Sequence, residues 1–153
     1  MTGTDTAEIR SLTLLGCGKM GSALLSGWLG AGLPPGRVEV IDPAPSEWLT
    51  ARATEGVVLN PPAPRRPEVL LLAVKPQVMA EAAPALAEFG GGETLVISIA
   101  AGTPIAAFEE MFGAATPVVR VMPNTPSAIG RGVSALVGNA AASGTDLARA
   151  ETL

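Results

Sequence analysis

The run "EVLLLAV" at 68–74 is short, unbroken and apolar, with no in–out alternation of polar residues. A strand of that texture is covered on both faces, so it belongs in a sheet sandwiched between two other layers. Four more short runs are likewise rich in β-branched or leucine residues: "SLTLLG" (11–16), "RVEVID" (37–42), "TLVISIA" (94–100) and "PVVRVM" (117–122). Between them lie longer, alanine-rich amphipathic stretches: "KMGSALLSGWLGAG" (19–32), "PSEWLTARATEG" (45–56), "PQVMAEAAPALAEFG" (76–90) and "TPIAAFEEMFG" (103–113). Short apolar runs alternating with helical ones predict an α/β fold, a mainly parallel sheet with helices on both faces.

The punctuation agrees. Gly32, Gly56, Gly90 and Gly113 stand where helices should end. Pro76 and Pro104 stand at helix starts, where a missing N–H costs nothing. Pro84 falls inside the third helical stretch and is expected to kink or split it. "NPPAPRRPE" (60–68) reads as a stiff surface connection between strands. "GVSALVGN" (132–139) reads as one more strand, and "AAASGTDLARAETL" as a loop and the start of a helix. The pattern stops midway, as expected of a piece of a longer protein.

Composition excludes several function classes. The chain has 153 residues, enough for one compact domain, and 48% of them are hydrophobic. The net charge of −4, with no basic cluster beyond Arg65 and Arg66, leaves no footprint for nucleic acid or an anionic membrane surface. The polar N-terminus has no signal-like pattern, and no apolar stretch approaches the roughly 18 residues of a membrane span. A cytoplasmic location is the expectation. There is no histidine and only one cysteine, so histidine acid–base catalysis, an internal disulfide and a cysteine-rich metal site are all excluded. No metal site is expected.

The chemistry lies in "LLGCGKMGSALLSGWL" (14–29), where G-x-G-x-x-G falls at a predicted strand–helix junction. Gly16 permits the tight turn, Gly18 lets a diphosphate approach the backbone, and Gly21 lets the helix pack against the strand. The free N–H groups of the first helical turn face the phosphates. About twenty residues past Gly21, Asp42 ends the second strand, where an acid accepts hydrogen bonds from an adenosine ribose. This is the pattern of a Rossmann-type, doubly wound dinucleotide-binding domain. A carboxylate at Asp42 repels a 2′-phosphate and favours NADH over NADPH. The alternative is that Asp42 only caps the next helix, although Ser46 can also do so. Cys17 is either a low-pKa thiolate at a helix start or a residue whose backbone alone matters.

Ligands in such folds sit at the carboxyl ends of the strands. There the sequence places Asn60, then Lys75, Pro76 and Gln77, then Ala101, Gly102 and Thr103, then Pro123, Asn124, Thr125, Pro126 and Ser127. The set holds one cation, Lys75, and otherwise neutral residues, including several hydrogen-bonders. It suits a nicotinamide and a small polar substrate. Lys75 is either on the cofactor side or turned to solvent.

Taken in order, "LTLLGCGKMGSALLSGW", "VLLLAVKPQVM", "LVISIAAGTPIAAFEEMFG" and "VVRVMPNTPSAIGRGVSAL" resemble the pyrroline-5-carboxylate reductases. The resemblance runs over nearly all of 12–139. It implies that Gly16, Cys17, Gly18, Lys19, Met20 and Gly21 hold the pyrophosphate. It also implies that Asn60 and the segment Ala73, Val74, Lys75, Pro76 run along the cofactor, NADPH or NADH. Ala101 would lie near the nicotinamide, and Met122, Pro123, Asn124 and Thr125 beside the substrate. The implied reaction is hydride transfer to the imine carbon of 1-pyrroline-5-carboxylate, giving proline. No side chain of this chain is marked as catalytic. The implied organisation is a tail at 1–11, a dinucleotide-binding domain at 12–140, and at 141–153 the start of a linker or helix leading to a helical dimerisation domain that this sequence lacks. The whole protein would be a homo-oligomer, a dimer or higher, and this chain would bind cofactor with little turnover. Two departures from the family stand out: that missing domain, and "PPAPRRPE" in place of a short helix. Two rival readings are a stand-alone dinucleotide sensor and a related hydroxyacid dehydrogenase; "VMPNTP" speaks against the latter.

Overall fold

The computed structural model describes residues 9–62, 65–99, 103–122 and 135–152. Strand β1 (Leu12–Leu15) leads into helix α1 (Lys19–Gly30), then β2 (Val38–Ile41), α2 (Glu47–Thr54) and β3 (Val58–Leu59). The chain continues through β4 (Val69–Leu72), α3 (Pro76–Leu86), β5 (Leu95–Ser98), α4 (Ile105–Phe112), β6 (Val118–Met122), β7 (Ala135–Gly138) and α5 (Gly144–Thr152). One sheet holds the strands in the order β3-β2-β1-β4-β5-β6-β7. Every pairing is parallel except β6 with β7, which is antiparallel.

The unalternating runs do what their texture predicts. All four residues of β1, β4 and β5 are buried. Successive side chains point to opposite faces. Leu12, Leu14, Val69, Leu71, Leu95 and Ile97 therefore join Leu25 and Trp28 of α1, Leu49 of α2 and Ala150 of α5 in one core. Leu15, Leu70, Leu72 and Val96 join Met79 of α3 and Phe108 and Phe112 of α4 in the other. Each fully buried side chain of this size contributes about 1.5–3 kcal/mol. The two cores make the fold doubly wound, with helices on both faces.

Helix punctuation follows the glycines. Gly32 and Gly56 take positive φ just past α1 and α2, and Gly113 does so at the end of α4. Pro76 opens α3, whereas Pro104 stands one residue before α4, at its cap. Pro84 does not split its helix. It sits exposed in the last turn of α3, which runs on to Leu86 and then tightens into a 3-10 turn over Ala87–Phe89. A proline there costs the one bond its N–H would have made to the carbonyl of residue 80, with only two helical residues left beyond it.

The proline-rich connection is pinned by charge. Arg65 Nε lies 2.6 Å from Oε2 of Glu39, a buried carboxylate on β2, and its N–H donates to Oε1 at 3.3 Å. Arg66 donates to the carbonyls of Glu88, Phe89 and Gly90, the acceptor-rich end of the 3-10 turn.

The antiparallel edge hangs on Asn139. Its Oδ1 accepts from the N–H groups of Val118 and Ala142, both at 3.0 Å. Its Nδ2 donates to Thr116 O at 2.9 Å and to Glu109 Oε2 at 3.1 Å. One amide thus ties β6, α4 and the turn before α5. Asn139→Ala is expected to destabilise the fold by about 2–4 kcal/mol, because several partners lose their bonds together. Urea unfolding measures it, and a loss below about 0.5 kcal/mol would show the amide to be dispensable.

Candidate functional site

Strand β1 sits in the middle of the sheet because the chain leaves it in one direction and returns on the other side. β2 and β3 follow outward, then β4 pairs with the free edge of β1, Leu12 opposite Val69. The loops after β1 and β4 therefore diverge from adjacent strand ends and leave a crevice at the carboxyl edge of the sheet. The glycine loop fills one side of it.

Gly16 is wedged between neighbours. Its N–H donates to Ile41 O of β2 at 2.9 Å, and Ala73 N–H donates to Leu15 O at 2.9 Å. Its φ is +87°, and a Cβ there would collide with Val74 Cγ1 and lie 2.9 Å from Ala73 O. Gly21 is as constrained, since its Cβ would lie 2.5 Å from Gly16 O. Gly18 differs: it is exposed, and a Cβ there would meet nothing within 4 Å. Two of the glycines serve the fold, and Gly18 leaves open space over the loop.

That space faces the start of α1. Gly18 is the N-cap and supplies no side-chain bond, in contrast to α2, where Ser46 Oγ accepts from Leu49 N–H. The first intrahelical bond of α1 runs from Ser22 N–H to Gly18 O. The N–H groups of Lys19, Met20 and Gly21 precede it and have no carbonyl of the helix to reach. They carry the positive end of the helix dipole.

Asp42 closes the loop from the side. Its Oδ2 accepts from Cys17 N–H and its Oδ1 from Ala44 N–H, both at 2.9 Å. Ser46, not Asp42, caps α2. A carboxylate offers about four acceptor positions, so two bonds leave capacity for a ligand's hydroxyls. Asn60, at φ +47°, lies beside it with its amide on the Asp42 backbone.

Cys17 is not poised as a nucleophile. Its thiol is buried, 3.5 Å from Ser22 Oγ. Burial raises its pKa, the Ser22 hydrogen bond works against that rise, and the Asp42 charge adds to it. The thiol stays protonated, and the contribution of Cys17 is its backbone N–H. Ser22 was not evident from the motif. Its hydroxyl donates to Cys17 O at 3.0 Å and fixes the loop's tip. A serine just past the last motif glycine was the available signal.

Ala73 and Val74 form the floor under Gly16 and Gly21. Lys75 is exposed at the N-cap of α3, which Pro76 opens. The remaining expected residues are only partly in view. Met122 ends β6, while Ala101, Pro123, Asn124 and Thr125 lie outside the described residues. Among the described residues no helix is long and apolar enough to cross a membrane.

The family described as NADP oxidoreductase, coenzyme F420-dependent, matches residues 11–102. A pyrroline-5-carboxylate reductase of Pseudomonas aeruginosa is 35% identical over 145 residues, covering 93% of this chain and 53% of that protein. The structure of a pyrroline-5-carboxylate reductase from Coxiella burnetii superposes with a TM-score of 0.77 at 27% identity, over 94% of this chain and 57% of that one. The NADP-bound pyrroline carboxylate reductase of Plasmodium falciparum gives a TM-score of 0.73 at 26% identity, over 92% and 52%. The chain spans about half the length of the curated relatives it matches.

The glycines make a paired prediction. Gly21→Ala is expected to destabilise the chain by about 1–3 kcal/mol through its clash with Gly16 O, despite the better helix propensity of alanine. Gly18→Ala is expected to change stability by less than about 1 kcal/mol. Thermal unfolding of both variants checks it, and equal losses would contradict the division of labour.

Proposed function

Because this chain belongs to the family of NADP oxidoreductases described as coenzyme F420-dependent, we propose that it is the dinucleotide-binding part of a pyrroline-5-carboxylate reductase. The observation that carries the reading is the open glycine loop closed by the Asp42 carboxylate on Cys17 N–H, in a chain similar to those reductases over 93% of its length.

The residues fit a nicotinamide dinucleotide. A pyrophosphate fits the open face of Gly18, where the N–H groups of Lys19, Met20 and Gly21 point. Asp42 receives ribose hydroxyls with its spare acceptor positions. The same charge disfavours a 2′-phosphate, and the neighbouring Pro43 offers no cation, so NADH is the preferred cofactor. Lys75, exposed at the start of α3, serves the cofactor side of the crevice. Ala101 lies near the nicotinamide, and Met122 to Thr125 border the substrate.

The bound reduced nicotinamide supplies a hydride. The chain itself has little proton chemistry to do. A cyclic imine with a basic nitrogen can arrive already protonated, and its carbon is then electrophilic unaided. The site's work is to hold donor and acceptor in contact and to exclude water. The groups that grip the substrate belong to a helical domain in the half of the relatives' length that this chain does not span. That domain also makes the homo-oligomer, and the reaction is cytoplasmic.

Two measurements test this. The protein continued to its natural C-terminus should oxidise NADH rapidly with 1-pyrroline-5-carboxylate. Residues 1–153 alone should bind NADH but turn over at least about 100-fold more slowly. Cofactor binding without imine reduction by the whole protein would leave a dinucleotide sensor or a hydroxyacid dehydrogenase as the better reading. Asp42→Ser should weaken NADH and relatively favour NADPH by about tenfold, roughly one charge-assisted interaction. Unchanged selectivity would remove Asp42 from that role.

A further inference from the structure

We infer that Asn60 is a positioning residue that sets cofactor selectivity through Asp42; the inference rests on the dinucleotide site proposed above. Regular pairing of β2 with β3 ends where Val40 stands opposite Leu59. The next rung is made by a side chain. Asn60 N–H donates to Val40 O at 2.7 Å. Its Oδ1 then accepts from Asp42 N–H, and its Nδ2 donates to Asp42 O, both at 2.8 Å. The amide takes the place of a strand's peptide group and satisfies both backbone groups of Asp42.

Few residues can do this. The side chain must present a donor and an acceptor side by side, which an amide does. The backbone must turn at φ +47°, a region that asparagine enters more readily than most residues. Both conditions meet at this position. Asn60 is exposed, so the bonds are not made to bury the residue.

The consequence falls on the carboxylate. Its backbone is held by Asn60, and its oxygens by Cys17 N–H and Ala44 N–H. Asp42 therefore cannot swing away from the rim of the crevice. A charge fixed in place discriminates against a 2′-phosphate. A charge free to move retreats from it, and the repulsion falls with distance and screening. Asn60 thus acts on the ribose end of the cofactor without having to touch it.

The test is titration of the 153-residue chain with NADH and with NADPH, read as the ratio of the two dissociation constants. Asn60→Gly keeps the left-handed backbone and strips the amide. It should lower the preference for NADH about fivefold, the loss of one to two hydrogen bonds' worth of restraint. Asn60→Ser adds no charge, and its single short hydroxyl cannot serve Asp42 N–H and Asp42 O together, so it should lower the preference in the same direction. It carries the test if the glycine variant does not fold. In an Asp42→Asn background, Asn60→Gly should leave the ratio unchanged. Equal weakening of both cofactors, or the same drop in ratio without the Asp42 charge, would overturn the inference, since a merely structural residue behaves that way. Binding of neither cofactor by the unsubstituted chain would overturn the site itself, a distinct failure.

Discussion

The structure depends on covering the central strands on both faces. Leu12 and Leu14 face one core and Leu15 the other, and β4 repeats the arrangement with Val69 and Leu71 against Leu70 and Leu72. Such strands cannot be joined by hairpins, because a parallel neighbour needs a crossover through the covering layer. The crossovers supply that cover. Once β1 is central, its two neighbours are reached by chain running in opposite senses, and a crevice at their ends is unavoidable.

Within the crevice, space is allotted very unevenly. At Gly16 and Gly21 a single methyl group is excluded by the backbone and by Val74, while at Gly18 it would meet nothing. The tight packing sets the position of the loop relative to β4, and the loose point is the face proposed for the pyrophosphate. The carboxylate of Asp42 completes the arrangement by accepting from the loop's own N–H at Cys17. This is preorganisation in the ordinary sense: groups that would otherwise order on binding are already ordered.

Most of this was legible in the sequence. The short apolar runs marked β1, β2, β4, β5, β6 and β7, and "GKMG" at a strand–helix junction marked the loop, because steric rules at glycine are local. The antiparallel sense of β7 was not legible, since a single apolar run carries no direction. A kink or a split was the expectation at Pro84, and the split does not occur, because the effect of a proline depends on how near the helix end it stands. Asp42 was read at the end of the second strand, with a ribose contact and a helix cap both open; it follows Ile41 directly, and the structure gives the cap to Ser46. The pairing of Asn60 with Asp42 joins residues just past the ends of two strands and depends on a left-handed φ, neither of which a motif encodes.

The register has one more consequence. β1 meets β2 after a single crossover, but it meets β4 only after the chain has passed through β2, α2, β3 and the arginine-pinned connection. Contacts between distant segments carry the larger closure entropy. The crevice opens above that distant contact, where Ala73 underlies Gly16. A ligand seated across it acts as a reversible staple between the first strand and the fourth. It lends the folded chain a stability that grows with the logarithm of ligand concentration, with no new bond in the protein.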